Sequence, residues 1–164
     1  MKKVLLVATA ALLLVGCSSP FPGTTGADPS GTSRSDSAAT VTAVLLGEAL
    51  KDAIPTITSV TQITEDNDPN ALIGRPAGYI DGALIVDTRA KKCIKPGVAC
   101  GATIEVWGDK KKASDRSINI ITLMAEDPTL YEHHYILDGL LLRVSGELSP
   151  SAADEYESIM VQER

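Results

Sequence analysis

The sequence predicts an α+β fold, a two-layer sandwich in which an antiparallel or mixed sheet of about five strands carries helices packed on one face. Three observations support this prediction. The predicted elements follow one another in the order α-β-β-β-α-β-β-α. Each predicted helix has a single apolar stripe, which suits packing on a sheet. Residues 140–145 alternate as a half-buried strand does, with one face formed by Leu140, Leu142 and Val144 and the other by Leu141, Arg143 and Ser145.

The first half of the domain is predicted to contain one helix and three strands. Residues 41–54 place apolar side chains near helical spacing, and Pro55 ends this helix because proline cannot donate a backbone hydrogen bond. Strands are predicted where β-branched and other apolar residues cluster, at 56–64, 79–88 and 101–107.

The second half is predicted to contain two helices that flank a hairpin. Asp109 is a suitable cap for a helix that ends near residue 124. Asp138-Gly139 is a typical tight turn between strands at 131–137 and 140–145. Ser149-Pro150 supplies a cap and a first-turn proline for a last helix, whose inner face is formed by Ala152, Ala153, Tyr156, Ile159 and Met160.

The N-terminal segment has the form of a secretory signal. Lys2 and Lys3 precede an apolar run at 4–16, which is shorter than the ~20 residues that a membrane-spanning helix needs. Residues 18–39 are rich in Ser, Gly, Thr and Pro, a composition typical of a flexible tether. We therefore expect a signal peptide at 1–16, an anchor and tether at 17–39, and one globular domain at 40–164.

Leu14-Val15-Gly16-Cys17 resembles the lipobox of bacterial lipoproteins. The resemblance implies that the Cys17 thiol receives a diacylglyceryl group and becomes the first residue after cleavage. Two acyl chains are enough for stable anchoring, so the implied location is the extracytoplasmic face of the cell membrane. The alternative is an ordinary signal peptide in which Cys17 occurs by chance.

Three further segments resemble small uncharacterised lipoproteins of actinobacteria and their temperate phages. They are DPNALIGRPAGY at 68–79, GATIEVWGD at 101–109 and LLLRVSGELSPSAADEYE at 140–157. The resemblance implies a surface lipoprotein of unknown ligand and assigns no catalytic residue. Because some phage-encoded lipoproteins act in superinfection exclusion, that role is the alternative function.

Cys93 and Cys100 are the cysteines that lipidation would leave unused. Pro96-Gly97 lies between them and supplies a turn that can bring the two thiols together, so a structural disulfide is predicted. Six residues separate the pair, unlike the two of a redox CxxC motif, and no further Cys or His at short spacing indicates a metal site.

Two other patterns suggest metal binding but are incomplete. Asp66, Asp68 and Asn70 open like a calcium loop, yet Ala71 and Ala77 replace the glycine and glutamate that such a loop needs. His133 and His134 are adjacent on a predicted strand, where neighbouring side chains point to opposite faces and cannot readily hold one ion. We predict no metal, no cofactor and no catalytic residue.

The charge pattern argues against nucleic-acid binding. The net charge is −6, and removal of the leader with its two lysines makes it more negative. Lys91, Lys92 and Lys95 form one cluster and Lys110–112 another, on either side of the predicted strand 101–107. We expect two separate solvated spots; one patch for an acidic wall polymer or partner is the alternative.

These features favour a binding or interaction role over catalysis. The predicted partners are the membrane, through the lipid anchor, and a protein or cell-envelope component. An enzyme would instead require a deep polar pocket that collects His133 or His134 with a carboxylate and a hydroxyl.

Overall fold

The computed structural model describes residues 42–163. The predicted signal peptide, Cys17 and the tether lie outside the described residues. The helices are α1 (Ala43–Ala53), α2 (Lys110–Glu126) and α3 (Pro150–Gln162), and the strands are β1 (Ile57–Gln62), β2 (Asp81–Asp87), β3 (Gly101–Val106), β4 (Glu132–Leu137) and β5 (Leu140–Ser145). Within this part of the chain no helix has the length and apolar character needed to span a membrane.

The five strands form one antiparallel sheet in the order β1-β2-β3-β5-β4. Consecutive strands pair with each other, with the exception of β3 and β4. β3 pairs instead with β5, which follows α2 and β4 in the sequence. The predicted α+β class, the number of strands and the order of the elements are confirmed.

The main core lies between one face of the sheet and the helices α1 and α3. Alternate strand residues such as Ile85, Ile104 and Leu142 meet Leu46 and Leu50 of α1, and each of these five is at most 1% exposed. α3 adds the inner face that the sequence predicted, including Ala153, Tyr156 and Met160.

α2 packs against the opposite face of the sheet, which differs from the prediction that the helices share one face. Ala113 of α2 belongs to a second apolar cluster with Trp107, Leu84 and Leu141. Leu141 alternates with the main-core residue Leu142 along β5, so the two clusters lie on opposite faces. The polar residues of this second face are numerous, and that is why the strand pattern did not predict a helix over it.

The ends of the elements follow the predicted local signals. The Asp109 side chain accepts a hydrogen bond from the Lys112 N–H at 2.9 Å, and Ser149 caps α3 through the Ala152 N–H at 3.3 Å. In the β4–β5 turn Asp138 has φ 52°, and a Cβ on Gly139 would lie 2.6 Å from the Trp107 carbonyl oxygen. Only glycine fits there, because the turn packs directly against the strand-end backbone.

Candidate functional site

Cys93 and Cys100 form a disulfide, which confirms the predicted pairing. The Cys100 N–H donates to the Gly97 carbonyl at 2.9 Å, so the turn at Pro96-Gly97 closes the loop as the sequence indicated. Cys100 is buried beside the sheet, whereas Ile94, next to Cys93, is 96% exposed. The disulfide therefore ties down one end of a short loop that presents an apolar side chain to solvent. We call residues 93–100 the disulfide loop.

A surface cleft of about 500 Å³ lies beside this loop. One wall is formed by the disulfide loop and the lysines before it, and the other by residues 128–132 and the end of β5 at 145–147. Leu130 and Tyr131 line the cleft and are 49% and 54% exposed. The cleft thus combines an exposed apolar wall with charged rims.

The charged rims of the cleft are partly neutralised by each other. Lys92 Nζ lies 2.8 Å from one carboxylate oxygen of Glu147, and the Lys92 N–H donates to the other at 2.7 Å. These bonds lower the pKa of Glu147 and hold the chain before the disulfide loop against the β5–α3 corner. Lys91 Nζ donates to the Thr88 carbonyl at 2.7 Å. Its charge remains available to a ligand, because a neutral carbonyl does not compensate it.

A buried ionic network lies between the sheet and α2. Glu105 of β3 is fully buried and accepts from Arg143 Nη1 at 2.7 Å and from Trp107 Nε1 at 3.2 Å. Arg143 also donates to both carboxylate oxygens of Glu132, each at 2.8 Å. Arg116 of α2 approaches Glu105, with Nε 3.4 Å from Oε2. The two arginines compensate the two glutamates, which is the condition for burying such charges.

Burial and pairing act in opposite directions on these groups. Burial raises the pKa of Glu132, but the bonds from His134 and Arg143 lower it further, so its pKa lies below the usual value. Burial lowers the pKa of Arg143, but the two glutamates raise it more. Glu132 and Arg143 therefore favour their charged forms. The hydrogen bonds of Arg143 are directed at Glu105 and Glu132, which favours a structural role, whereas Arg116 Nε makes only the longer ionic contact.

Ser117, His134 and Glu132 form a hydrogen-bonded chain that the sequence pattern did not reveal. The Ser117 hydroxyl lies 2.9 Å from His134 Nδ1, and His134 Nε2 lies 3.1 Å from Glu132 Oε2. These residue types resemble a nucleophile, a base and an orienting acid. However, Ser117 is 4% exposed, and Glu132 alone of the three residues lines the cleft. The hydroxyl is therefore nearly excluded from solvent in this conformation.

The two histidines point to opposite faces of the sheet, as predicted. His134 contacts Ser117 of α2, whereas His133 Nε2 lies 3.1 Å from the Leu148 carbonyl and its ring packs edge-on against Tyr131. They do not share a ligand position.

The calcium-like loop is closed by its own backbone. The Asp68 carboxylate accepts from the N–H groups of Asn70, Leu72 and Ile73 and from the Tyr79 hydroxyl. Asn70 Oδ1 accepts from Arg116 Nη2 at 2.9 Å. Burial raises the pKa of Asp68, and these hydrogen bonds lower it below the usual value. Residues 42–163 contain no cluster of three or more His, Cys, Asp or Glu side chains placed to hold a metal.

The two lysine clusters lie before and after β3. Lys91, Lys92 and Lys95 precede the short helical turn that leads into β3, and Lys110–112 begin α2 just after it. Lys111 pairs with Asp115 at 2.6 Å. Lys91 and Lys92 of the first cluster line the cleft, whereas Lys110–112 do not.

Comparisons with protein-family models, with curated proteins and with solved structures found no match to this chain.

Proposed function

We propose that this protein is a membrane-anchored extracytoplasmic lipoprotein whose domain acts as a binding module for a protein or cell-envelope partner. The anchor is a diacylglyceryl group on Cys17, and residues 18–39 are the tether. The binding surface is the cleft between the disulfide loop and residues 128–132.

The main support for the lipid anchor comes from the pairing of the cysteines. The chain has three, and Cys93 and Cys100 are bonded to each other. Cys17 is therefore the one remaining thiol, and it stands in the lipobox-like sequence. A structural disulfide also suits a compartment beyond the cytoplasmic membrane, because cytoplasmic thiols are kept reduced.

The support for binding is the contrast between the cleft and the buried network. The network satisfies its own charges, so little is left for a ligand. In the cleft, by comparison, Leu130, Tyr131 and the Lys91 charge face solvent. Aromatic and apolar side chains beside charged rims are the composition that protein-binding surfaces favour.

The burial of the possible catalytic residues also favours a binding role over catalysis. The Ser117–His134–Glu132 chain is the one arrangement in residues 42–163 with the residue types of a nucleophilic site, and it lies beneath α2. Glu132 is also occupied by Arg143. We therefore assign the hydrogen-bonded residues Ser117, His134 and Glu132 a structural role.

The anchor is tested by mass spectrometry of the full-length protein isolated from membranes. The wild type should begin at Cys17 and carry the mass of the lipid, whereas Cys17→Ala should lose the lipid and be released from the membrane. Ser18→Ala is the matched control and should behave as the wild type. An intact leader or an unmodified Cys17 in the wild type would refute the anchor.

The binding surface is tested by photo-crosslinking on intact cells. A photoreactive residue at Tyr131 should capture a discrete partner, while the same residue at Val161, which is equally exposed at 55%, should not. Capture of the same species from both positions would count against the cleft. If the captured species comes from an infecting phage, the superinfection-exclusion alternative gains support.

A further inference from the structure

α2 exposes an apolar stripe on its outer side. Ile118 and Ile121 are 60% and 50% exposed. Ser114 precedes Ile118 by four residues and Ala125 follows Ile121 by four, so the four side chains follow one line along the helix. We call these four residues the α2 stripe. Its aliphatic centre is uncovered by other parts of residues 42–163.

The spacing of the α2 stripe is symmetric, which makes the surface complementary to itself. A second copy that runs antiparallel about a two-fold axis would place Ile118 against Ile121 of the second copy. The same axis places Ser114 against Ala125 of the second copy. Small side chains at both ends allow the helices to approach closely. A two-fold interface requires this kind of self-matching surface.

The charges at the ends of α2 are complementary in the same arrangement. The helix begins with Lys110, Lys111 and Lys112 and has no acidic residue in its first turn, while Glu126 and the cap Asp127 form its acidic end. This is the reverse of what the helix dipole favours, so it slightly destabilises an isolated α2. In the antiparallel pair Lys111, which also pairs with Asp115 of its own helix, lies within about 3 Å, measured along the axis, of Glu126 and Asp127 of the second copy. Each basic end therefore meets an acidic end.

We propose that the α2 stripe is a self-association surface through which two copies of this chain pair antiparallel about a two-fold axis. One pair of helices buries less than the roughly 1,200–2,000 Å² of a stable interface. The dimer therefore exchanges rapidly, and its population rises with protein concentration. The pairing does not depend on what the cleft binds.

Disulfide trapping tests the orientation. Full-length chains that carry Ser114→Cys or Ala125→Cys are produced together with different tags and oxidised. The mixed pair should crosslink, because the two positions face each other. Ser114→Cys should not crosslink to itself, since the two copies of residue 114 lie about 16 Å apart along the axis, beyond disulfide reach. The chain without an introduced cysteine controls for Cys17. Equal self-crosslinking of Ser114→Cys, or no mixed product, would overturn the proposal.

Sedimentation of the full-length protein at rising concentration tests the surface. Ile118→Lys and Ile121→Lys should weaken association about ten-fold or more relative to the wild type. Leu123→Lys is the matched control, because Leu123 is 54% exposed on the same helix but lies on the other side from the stripe. A wild type that stays monomeric throughout, or a Leu123→Lys effect equal to that of Ile121→Lys, would refute the inference. Circular dichroism confirms that each variant is folded.

Discussion

Arg143 Nη1 lies 2.7 Å from Glu105 Oε1 at the centre of the sheet, and the Glu105 side chain is fully buried. Arg143 pairs in register with Thr103 and Glu105 with Leu141, so the two charges are diagonal neighbours on β5 and β3. Each charge has been removed from water and depends on the other for compensation. Removing either one alone would leave the other buried with less compensation.

Removing one member of this pair should cost more than removing both. We expect Arg143→Met to destabilise the fold by about 3–5 kcal/mol, because Glu105 and Glu132 remain buried with less compensation. Arg143→Met combined with Glu105→Leu should recover part of this loss, by about 1–3 kcal/mol. Urea denaturation of Arg143→Met, Glu105→Leu, the double variant and the wild type measures the free energies of unfolding. Strict additivity of the two single effects would show that the pair is not coupled.

The ion pair also explains which parts of the fold the sequence could predict. Local signals were sufficient for the ends of the elements, since Asp109, Asp138-Gly139 and Ser149-Pro150 act within a few residues of themselves. The partner of Arg143 is 38 residues away in sequence, on a strand that is adjacent only in space. The alternation at 140–145 placed Arg143 on the opposite face from Leu142, but that pattern contains no information about α2, which covers this face.

Asp87 should contribute to the pH dependence of stability. Its side chain is fully buried, and it accepts bonds from Arg89 and, at 2.8 Å, from the Tyr156 hydroxyl. Burial raises the pKa of Asp87, but these bonds lower it further, so the folded-state pKa lies below the usual 3.8. A lowered pKa gives stability that is present above 3.8 and is lost as the pH falls through the folded value.

We therefore expect Asp87→Asn to be less stable than the wild type near neutral pH and to lose less stability as the medium is acidified. Asp68 and Glu132 also have lowered pKa values, so part of the acid sensitivity should remain. Denaturant titrations at neutral and acid pH measure the effect, with Asp52→Asn as an exposed control. An acid dependence that is identical in Asp87→Asn and the wild type would contradict the assignment.

The disulfide should stabilise the domain mainly by restricting its unfolded state. Replacing Cys93 and Cys100 by Ser opens a loop of eight residues and should cost about 2.5 kcal/mol. Glu147→Gln removes the charge that pairs with Lys92 Nζ and alters the acceptor of the Lys92 N–H, and it should cost much less than the loss of the disulfide because both contacts lie at the surface. Thermal unfolding with and without a reductant measures both. The reductant should lower the melting temperature of the wild type and leave the double variant unchanged; sensitivity of the double variant would point to another thiol.

The candidate site shows the same division between local and distant information. Cys93 and Cys100 are seven positions apart with a turn between them, and their pairing could be predicted. The walls of the cleft come from residues 91–92, 98–99, 128–132 and 145–147, which meet through the pairing of β5 with β3 and with β4. Ser117 and His134 likewise lie on a helix and a strand whose contact depends on α2 covering the second face.

Ser117 should be unreactive towards reagents that label catalytic serines. Its hydroxyl is held 2.9 Å from His134 Nδ1 beneath α2 and is nearly excluded from solvent, so a fluorophosphonate probe should not modify it in the folded protein. Ser117→Ala should lower the free energy of unfolding by about 1–3 kcal/mol, because it leaves a buried ring nitrogen without its partner. Ser114→Ala, on the outer side of the same helix, should change stability by less than about 0.5 kcal/mol. Intact-mass analysis after exposure to the probe measures whether Ser117 is modified. Stoichiometric modification that is abolished by Ser117→Ala but persists in Ser114→Ala would show that α2 opens. It would also indicate that Ser117, His134 and Glu132 have a catalytic role and not a structural one.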